Sequence, residues 1–271
     1  MKLLTLVLAA SLLWLNSDCQ AHAAIETQLS RITALIERHP EAQSLYMHRA
    51  ALYQDHGRLK RAEADLRQAA RLGDPVNSDF LLGKLYYARG DHQRALDRFA
   101  NYLRRHPNHD LSLLFSARAA RESERTSLAI DFFDAYFAGA ANPHPGEYLS
   151  AARLRRMLWP HDVAPALDLL DQAMKRIGLV PQLQRFAIEL EMQRQNFAGA
   201  ISRWQTLEPV FGRSPHWLFE AAQIYHVMGE KKAARHVLSE IEGYMATIKP
   251  TPSNQRLIRK LQRLTATLET G

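Results

Sequence analysis

Twelve histidines, one cysteine and twenty-eight aspartates and glutamates are the side chains with which this chain could build a metal centre or an acid–base pair. Their spacing argues against both. His106 and His109 are separated by Pro107 and Asn108, which interrupt the helix that would aim two rings at one metal. His56, His92 and His161 stand singly in turn sequences. Glu189 and Glu191 share a helical stretch with arginine, a pattern that suits salt bridging better than proton transfer. No serine sits in a glycine-flanked elbow, and no glycine-rich phosphate loop precedes a helix. The residues therefore specify no catalytic set, no metal ligands and no cofactor site. The expectation is a protein that binds and does not catalyse.

The remaining chemical group, Cys19, lies in an amino-terminal segment of its own. Lys2 is followed by an apolar run from Leu3 to Leu15, a polar stretch from Asn16 to Gln20, and Ala21-His22-Ala23. That order is the order of a secretory leader, with small residues one and three before a cut after Ala23. The apolar run is short for a membrane span, which needs about 20 residues. Asp18 stands before Cys19 where a lipoprotein signal wants a small residue. Removal of residues 1–23 leaves a cysteine-free chain, in keeping with an oxidising, periplasmic destination. Membrane association is not expected unless Cys19 is lipidated.

The elements that position everything else are set by alanine. Ala62, Ala95, Ala129, Ala166, Ala200 and Ala234 recur at separations of 33, 34, 37, 34 and 34. Four residues after each stands Leu66, Phe99, Phe133, Leu170, Trp204 or Leu238. In the clearest unit, residues 82–107, Leu82, Gly83 and Tyr86 mark one helix, Gly90 closes it, Asp91 can cap the next, Ala95 and Phe99 face back, and Pro107 ends the second helix. Gly83 and Ala95 let two helix backbones approach, with Tyr86 and Phe99 filling the flanks. This unit and its 34-residue period resemble the tetratricopeptide repeat. The expected fold is all-α: a right-handed α-solenoid of about six helix-turn-helix repeats with a carboxy-terminal capping helix. The boundaries read as a leader at 1–23, a leading half-repeat helix at 24–40, the array at 41–243, and a connector with capping helix at 244–271.

Three irregularities accompany the period. Glu124 stands where Gly90 does, so the third turn should be built differently. Ala141 to Gly146 contains two prolines and accounts for the 37-residue spacing. Pro160 should stop its helix early, with Asp162 capping the next. In the last helix Leu257, Leu261, Leu264 and Leu268 make one stripe, while Arg256, Arg259, Lys260 and Arg263 fall off it. That pattern suits closing the open end of a stack; a coiled coil or a membrane-surface role is the competing reading.

The resemblance implies a binding surface. In tetratricopeptide proteins the first helix of each unit lines a concave face where partner segments lie. Transferred by offset from the packing alanines, the candidates are Phe80, Lys84, Tyr87, Arg118, Arg121, Arg155, Arg185 and Phe219. Lys84, Arg118 and Arg155 share one offset in three successive units and, with Arg121, should form a basic ladder for an acidic segment anchored on Phe80 and Tyr87. The two-lysine, two-asparagine, one-arginine clamp known in the family is not reproduced. Net charge of +7 agrees with an anionic partner, and nucleic acid is not expected because most cations alternate with acids. The resulting expectation is a scaffold in the bacterial cell envelope that binds another protein or peptide, the alternative being a module that holds an anionic glycan or lipid headgroup for a separate enzyme.

Overall fold

The computed structural model describes residues 24–212, 214–248 and 251–270; the leader with Cys19, and Lys249-Pro250 of the connector, lie outside the described residues. All regular elements described are helices. The chain divides after Ala140 into two compact units. In unit 1, α1 (residues 24–38) precedes three hairpins. These are α2 (Gln43–Asp55) with α3 (Leu59–Leu72), α4 (Pro75–Ala88) with α5 (His92–Leu103), and α6 (Asp110–Glu122) with α7 (Thr126–Gly139). Unit 2 holds α8 (Pro145–Leu158) with α9 (Ala164–Ile177), and α10 (Pro181–Gln193) with α11 (Phe197–Gln205). The short α12 (Glu208–Phe211) follows, then α13 (Pro215–Val227) with α14 (Lys231–Met245), and α15 (Pro252–Thr270). Each unit is thus a stack of antiparallel helical hairpins.

Small residues set the distance within a hairpin. Ala62, Ala95, Ala129, Ala166, Ala200 and Ala234 lie in the interior, and Phe99, Phe133, Leu66 and Leu170 are fully buried beside them. At Gly83 the approach is closest: a Cβ there would fall 2.4 Å from Cε1 of Phe99. Tyr86 is half-buried, with the Arg94 guanidinium 5.7 Å above its ring. In α1, Leu29, Ile32 and Ile36 are buried while Leu35 is exposed.

The turns inside hairpins share one hydrogen bond. Arg58, Asp91 and Glu230 donate their backbone N–H to the carbonyls of Tyr53, Tyr86 and Tyr225 at 2.7, 2.9 and 2.9 Å. Gly57, Gly90 and Gly229 supply the positive φ this requires. The expectation of a different third turn is corrected. Glu124 and Gln195 adopt φ of 58° and 59°, and Arg125 and Asn196 donate to Ala120 and Glu191 at 2.9 Å. The closing bond and the helix pairing hold these side-chain-bearing residues in a conformation that costs about 1–2 kcal/mol. Asp91 accepts from the Arg94 N–H at 3.2 Å and so caps α5.

The fourth hairpin does depart. Residues 159–163 join α8 to α9, where residues 123–125 suffice between α6 and α7. Pro160 ends α8, though not early, since that helix has 14 residues, and Asp162 accepts from the Ala164 N–H at 2.9 Å. This turn, together with the 14-residue α7 and α8, carries the 37-residue spacing. The loop at 140–144 does not, being shorter than the 104–109 link. A second departure follows α11, which has nine residues. Pro209 in a continued helix would clash with the carbonyl of Gln205, so the chain breaks and restarts as α12.

Three hairpins carry an ionic group three residues after the packing alanine: the buried Asp65 and the partly buried Arg98 and Arg203. Arg49 grips Asp65 with Nε at 2.7 Å and Nη2 at 2.8 Å. Arg98 reaches Asp79 at 3.1 Å; burial pushes that carboxyl up, and Arg98 offsets part of the effect. Arg203 forks onto Asp171 at 2.6 and 2.8 Å and donates Nε to Glu191 at 3.0 Å, tying α9, α10 and α11 together. Its guanidinium is held more firmly protonated by the bond to Asp171. Burial alone would lift Glu191, but bonds from Arg194, Arg203 and Asn196 hold it below the usual carboxylate range.

Candidate partner-binding surface

The first helices of the hairpins, α2, α4 and α6 in unit 1 and α8, α10 and α13 in unit 2, carry the sequence-derived candidates. In unit 1 neither aromatic anchor is a free side chain. The half-buried Phe80 ring lies 5.7 Å from Tyr102 and 4.8 Å from His109, so it fills the seam between α4, α5 and the start of α6. Tyr87 packs edge-on against Phe115 at 5.5 Å and approaches His92 at the same distance. The offset from the alanine places both on the intended helix, but neighbouring rings occupy their faces.

The basic ladder is likewise not a row of unopposed charges. Lys84 Nζ lies 3.9 Å from Asp55, Arg121 lies 2.8 Å from Glu122, and the Arg118 guanidinium sits 5.6 Å from the centroid of Phe115. Arg155, in unit 2, is buried at 8% exposure and donates toward the Ala151 carbonyl. Its side chain turns inward because α8 is rotated relative to the offset frame by its own longer turn. Phe219 is also interior, 7% exposed, and belongs to the core of α13 and its neighbours. The expectation of an open wall of cations is therefore corrected: acids at helix ends and inward rotation absorb it.

Unit 2 builds a different feature. Between α10 and α13 a cleft of about 340 Å3 is floored by Ile188, Met192, Trp204, Ile224 and Val227 and edged by Arg185, Glu189, Glu220 and Gln223. Trp204 is fixed beneath it, stacked 3.6 Å from Trp217 and donating Nε1 to the Trp217 carbonyl at 3.0 Å. Val227, 57% exposed, leaves the apolar floor open at one end. Arg185 spans the edge: Nη2 is 2.9 Å from Glu220, and its guanidinium lies 4.7 Å from the Phe211 centroid. Burial raises the Glu220 carboxyl above the usual range, and Arg185 counters it in part. The cleft can take apolar side chains into its floor while Glu189 and Gln223, both exposed, offer hydrogen bonds at the rim.

Of the sequence candidates Arg185 lines this cleft, together with Glu189 and Gln223, which stand at the same offset from their packing alanines as Lys84 does from Ala95. Ile188, Met192, Ile224 and Val227 were not singled out as binding residues, although the extra apolar Val227 beyond the packing positions of α13 is a legible signal. Among the described residues no group of three or more histidines, cysteines or carboxylates is disposed to hold a metal ion. No described helix is long and apolar enough to cross a membrane.

A family model described as tetratricopeptide repeat matches residues 80–143. Among solved structures, the carboxy-terminal part of a repeat-containing protein from Cytophaga hutchinsonii superposes with a TM-score of 0.64 at 13% identity, covering 83% of this chain and 92% of that one. A tetratricopeptide repeat protein from Parabacteroides merdae gives 0.50 at 14%, covering 88% and 92%. The PilF protein of Pseudomonas aeruginosa gives 0.50 at 14%, covering 82% and 98%. No curated protein matches the sequence. At these identities the likeness is one of fold.

Proposed function

We infer that this chain, a tetratricopeptide-repeat fold without a catalytic constellation among its described residues, is a non-enzymatic scaffold that binds another protein of the bacterial cell envelope. The observation that carries the reading is the cleft between α10 and α13. It has an apolar floor anchored by Trp204, a polar edge, and first helices on both sides. A partner segment seats one or two apolar side chains over Met192, Ile224 and Val227 and meets Glu189 and Gln223 at the rim. An apolar floor open to solvent at Val227 and edged by polar side chains is the composition of an interface centre rather than of a solvated helix face. The basic ladder no longer argues for an acidic segment, since its members are paired, stacked or buried.

The envelope setting rests on the sequence: the apolar run from Leu3 to Leu15 and Ala21-His22-Ala23 direct export with cleavage after Ala23. Mass measurement of the protein recovered from cells should place Ala24 at the amino terminus; a lipid on Cys19 would replace this reading by an anchored one. The binding role is tested with Val227→Glu, a change at an exposed position that sets a charge on the cleft floor. The variant should keep its helical circular dichroism and lose the partner captured from an envelope fraction by the parent chain. Undiminished capture by the folded variant would remove the cleft from the account.

A further inference from the structure

Most arginines of this chain are spent internally. Arg49, Arg89, Arg98, Arg185 and Arg203 each meet a carboxylate of another helix. The outer face of α15 carries four cations that do not. Leu257, Leu261 and Leu268 turn inward onto α13 and α14. The Leu268 carbonyl is fastened by Arg235 at 2.7 Å. Arg256, Arg259, Lys260 and Arg263 are all exposed, and their side chains make no hydrogen bond or ion pair among the described residues. At about 100° per residue they fall within an arc of about 100° on the side away from the core, along about 10 Å of helix.

This arrangement has an internal cost. The four cations are mutual neighbours at i, i+3 and i+4, where like charges repel, and α15 interleaves no acid among them; its one carboxylate side chain is Glu269. A stripe of four such cations left without acid partners on a firmly packed helix is a surface suited to an anionic partner.

The residues around the stripe say which kind. Ser253, Gln255, Gln262, Ala266 and Thr267 flank it, all exposed and none large and apolar. A protein interface needs a desolvated aromatic or aliphatic centre, and the face has none. A plane of phosphate headgroups needs only charge on one side of a straight element, presented on long side chains. We propose that the outer face of α15 is an electrostatic docking surface for an anionic lipid bilayer, holding unit 2 against the headgroups without insertion. This goes beyond the protein-binding reading and is independent of the α10–α13 cleft. It also departs from the expectation that membrane association requires a lipid on Cys19.

The test uses the chain from Ala24 onward, which contains all the helices described, so that the apolar run at residues 3–15 contributes nothing. Sedimentation with vesicles of phosphatidylcholine containing about 30 mol% phosphatidylglycerol should show binding in about 50 mM salt, loss in about 300 mM salt, and none to phosphatidylcholine alone. Each cation removed should weaken binding about fivefold, so replacing Arg256, Arg259, Lys260 and Arg263 together by Gln should lower it by about two orders of magnitude or more. A charge-matched control, with Lys60, Arg71, Arg153 and Lys175 replaced by Gln, should retain most of it. Three results would each overturn the proposal: no binding by the parent chain, equal loss in the stripe and control variants, or tighter binding of an anionic duplex or polyglutamate than of the vesicles at the same salt.

Discussion

Replacing Gly83 by Ala adds one methyl group at the closest approach between α4 and α5. The new Cβ would lie 2.4, 2.6 and 2.8 Å from Cε1, Cδ1 and Cζ of Phe99, well inside van der Waals contact. The ring must therefore move, and it has little freedom: Phe99 is fully buried, with Phe115 stacked at 6.0 Å and Phe80 at 6.3 Å. Overpacking of this kind costs about 1–3 kcal/mol. Against it stands the helix-propensity gain of Ala over Gly, about 1 kcal/mol. The net expectation is destabilisation by up to about 2 kcal/mol, with the clash winning because the ring is confined on both faces. Phe99→Leu removes the obstructing edge, so the double variant should be less destabilised than the two single variants predict, by about 1 kcal/mol or more. Denaturant unfolding followed by circular dichroism measures all three. Equal or greater stability of Gly83→Ala, or strict additivity in the cycle, would refute the close contact on which the hairpin argument depends.

Two further perturbations address the turns and caps. Glu124→Gly relieves a side chain held at φ 58° and should stabilise the chain by about 1 kcal/mol in thermal melts; a lower melting temperature would show that the Glu124 side chain contributes more than its backbone strain costs. His109 caps α6 by accepting the Ser112 N–H at 3.2 Å, which requires Nδ1 unprotonated. Burial, with His106 nearby, pushes this imidazole below its ordinary value. A histidine depressed in the folded state contributes stability that is present above the unfolded value, about 6.5, and is lost as pH falls through the lower folded value. His109→Asn keeps an acceptor at the cap and does not titrate, so its stability should fall less than the parent's between about pH 7 and pH 5. Parallel pH profiles would mean that other groups govern acid sensitivity.

Hairpin order and packing were legible because they depend on short-range periodicity. An alanine every 34 residues with a bulky apolar side chain one turn later fixes which faces meet, and those alanines are interior. The turn at Glu124 departs from expectation because glycine marks a left-handed residue only where nothing else enforces it, and here the closing bond to Ala120 does. The binding surface was less legible, for two reasons. An offset from one alanine fixes the helix but not its rotation where the turn is longer, and a shift of one residue turns a side chain by about 100°, enough to bury Arg155. Charge pairing is set by residues distant in sequence: Arg185 meets Glu220 only because α10 lies against α13. The cleft itself needed the break after Gln205, which brings Phe211 beneath Arg185.

The central claim, that the α10–α13 cleft seats a partner segment, is tested most directly by contact mapping. A photoreactive benzophenone side chain placed at exposed Gln223 on the cleft rim, and separately at exposed Ser202 on α11, reports what touches each face in intact cells. The account predicts one discrete adduct from position 223, absent from position 202 and lost when Val227→Glu is added. Adducts of equal yield from both positions, or an adduct from position 223 that survives Val227→Glu, would contradict it.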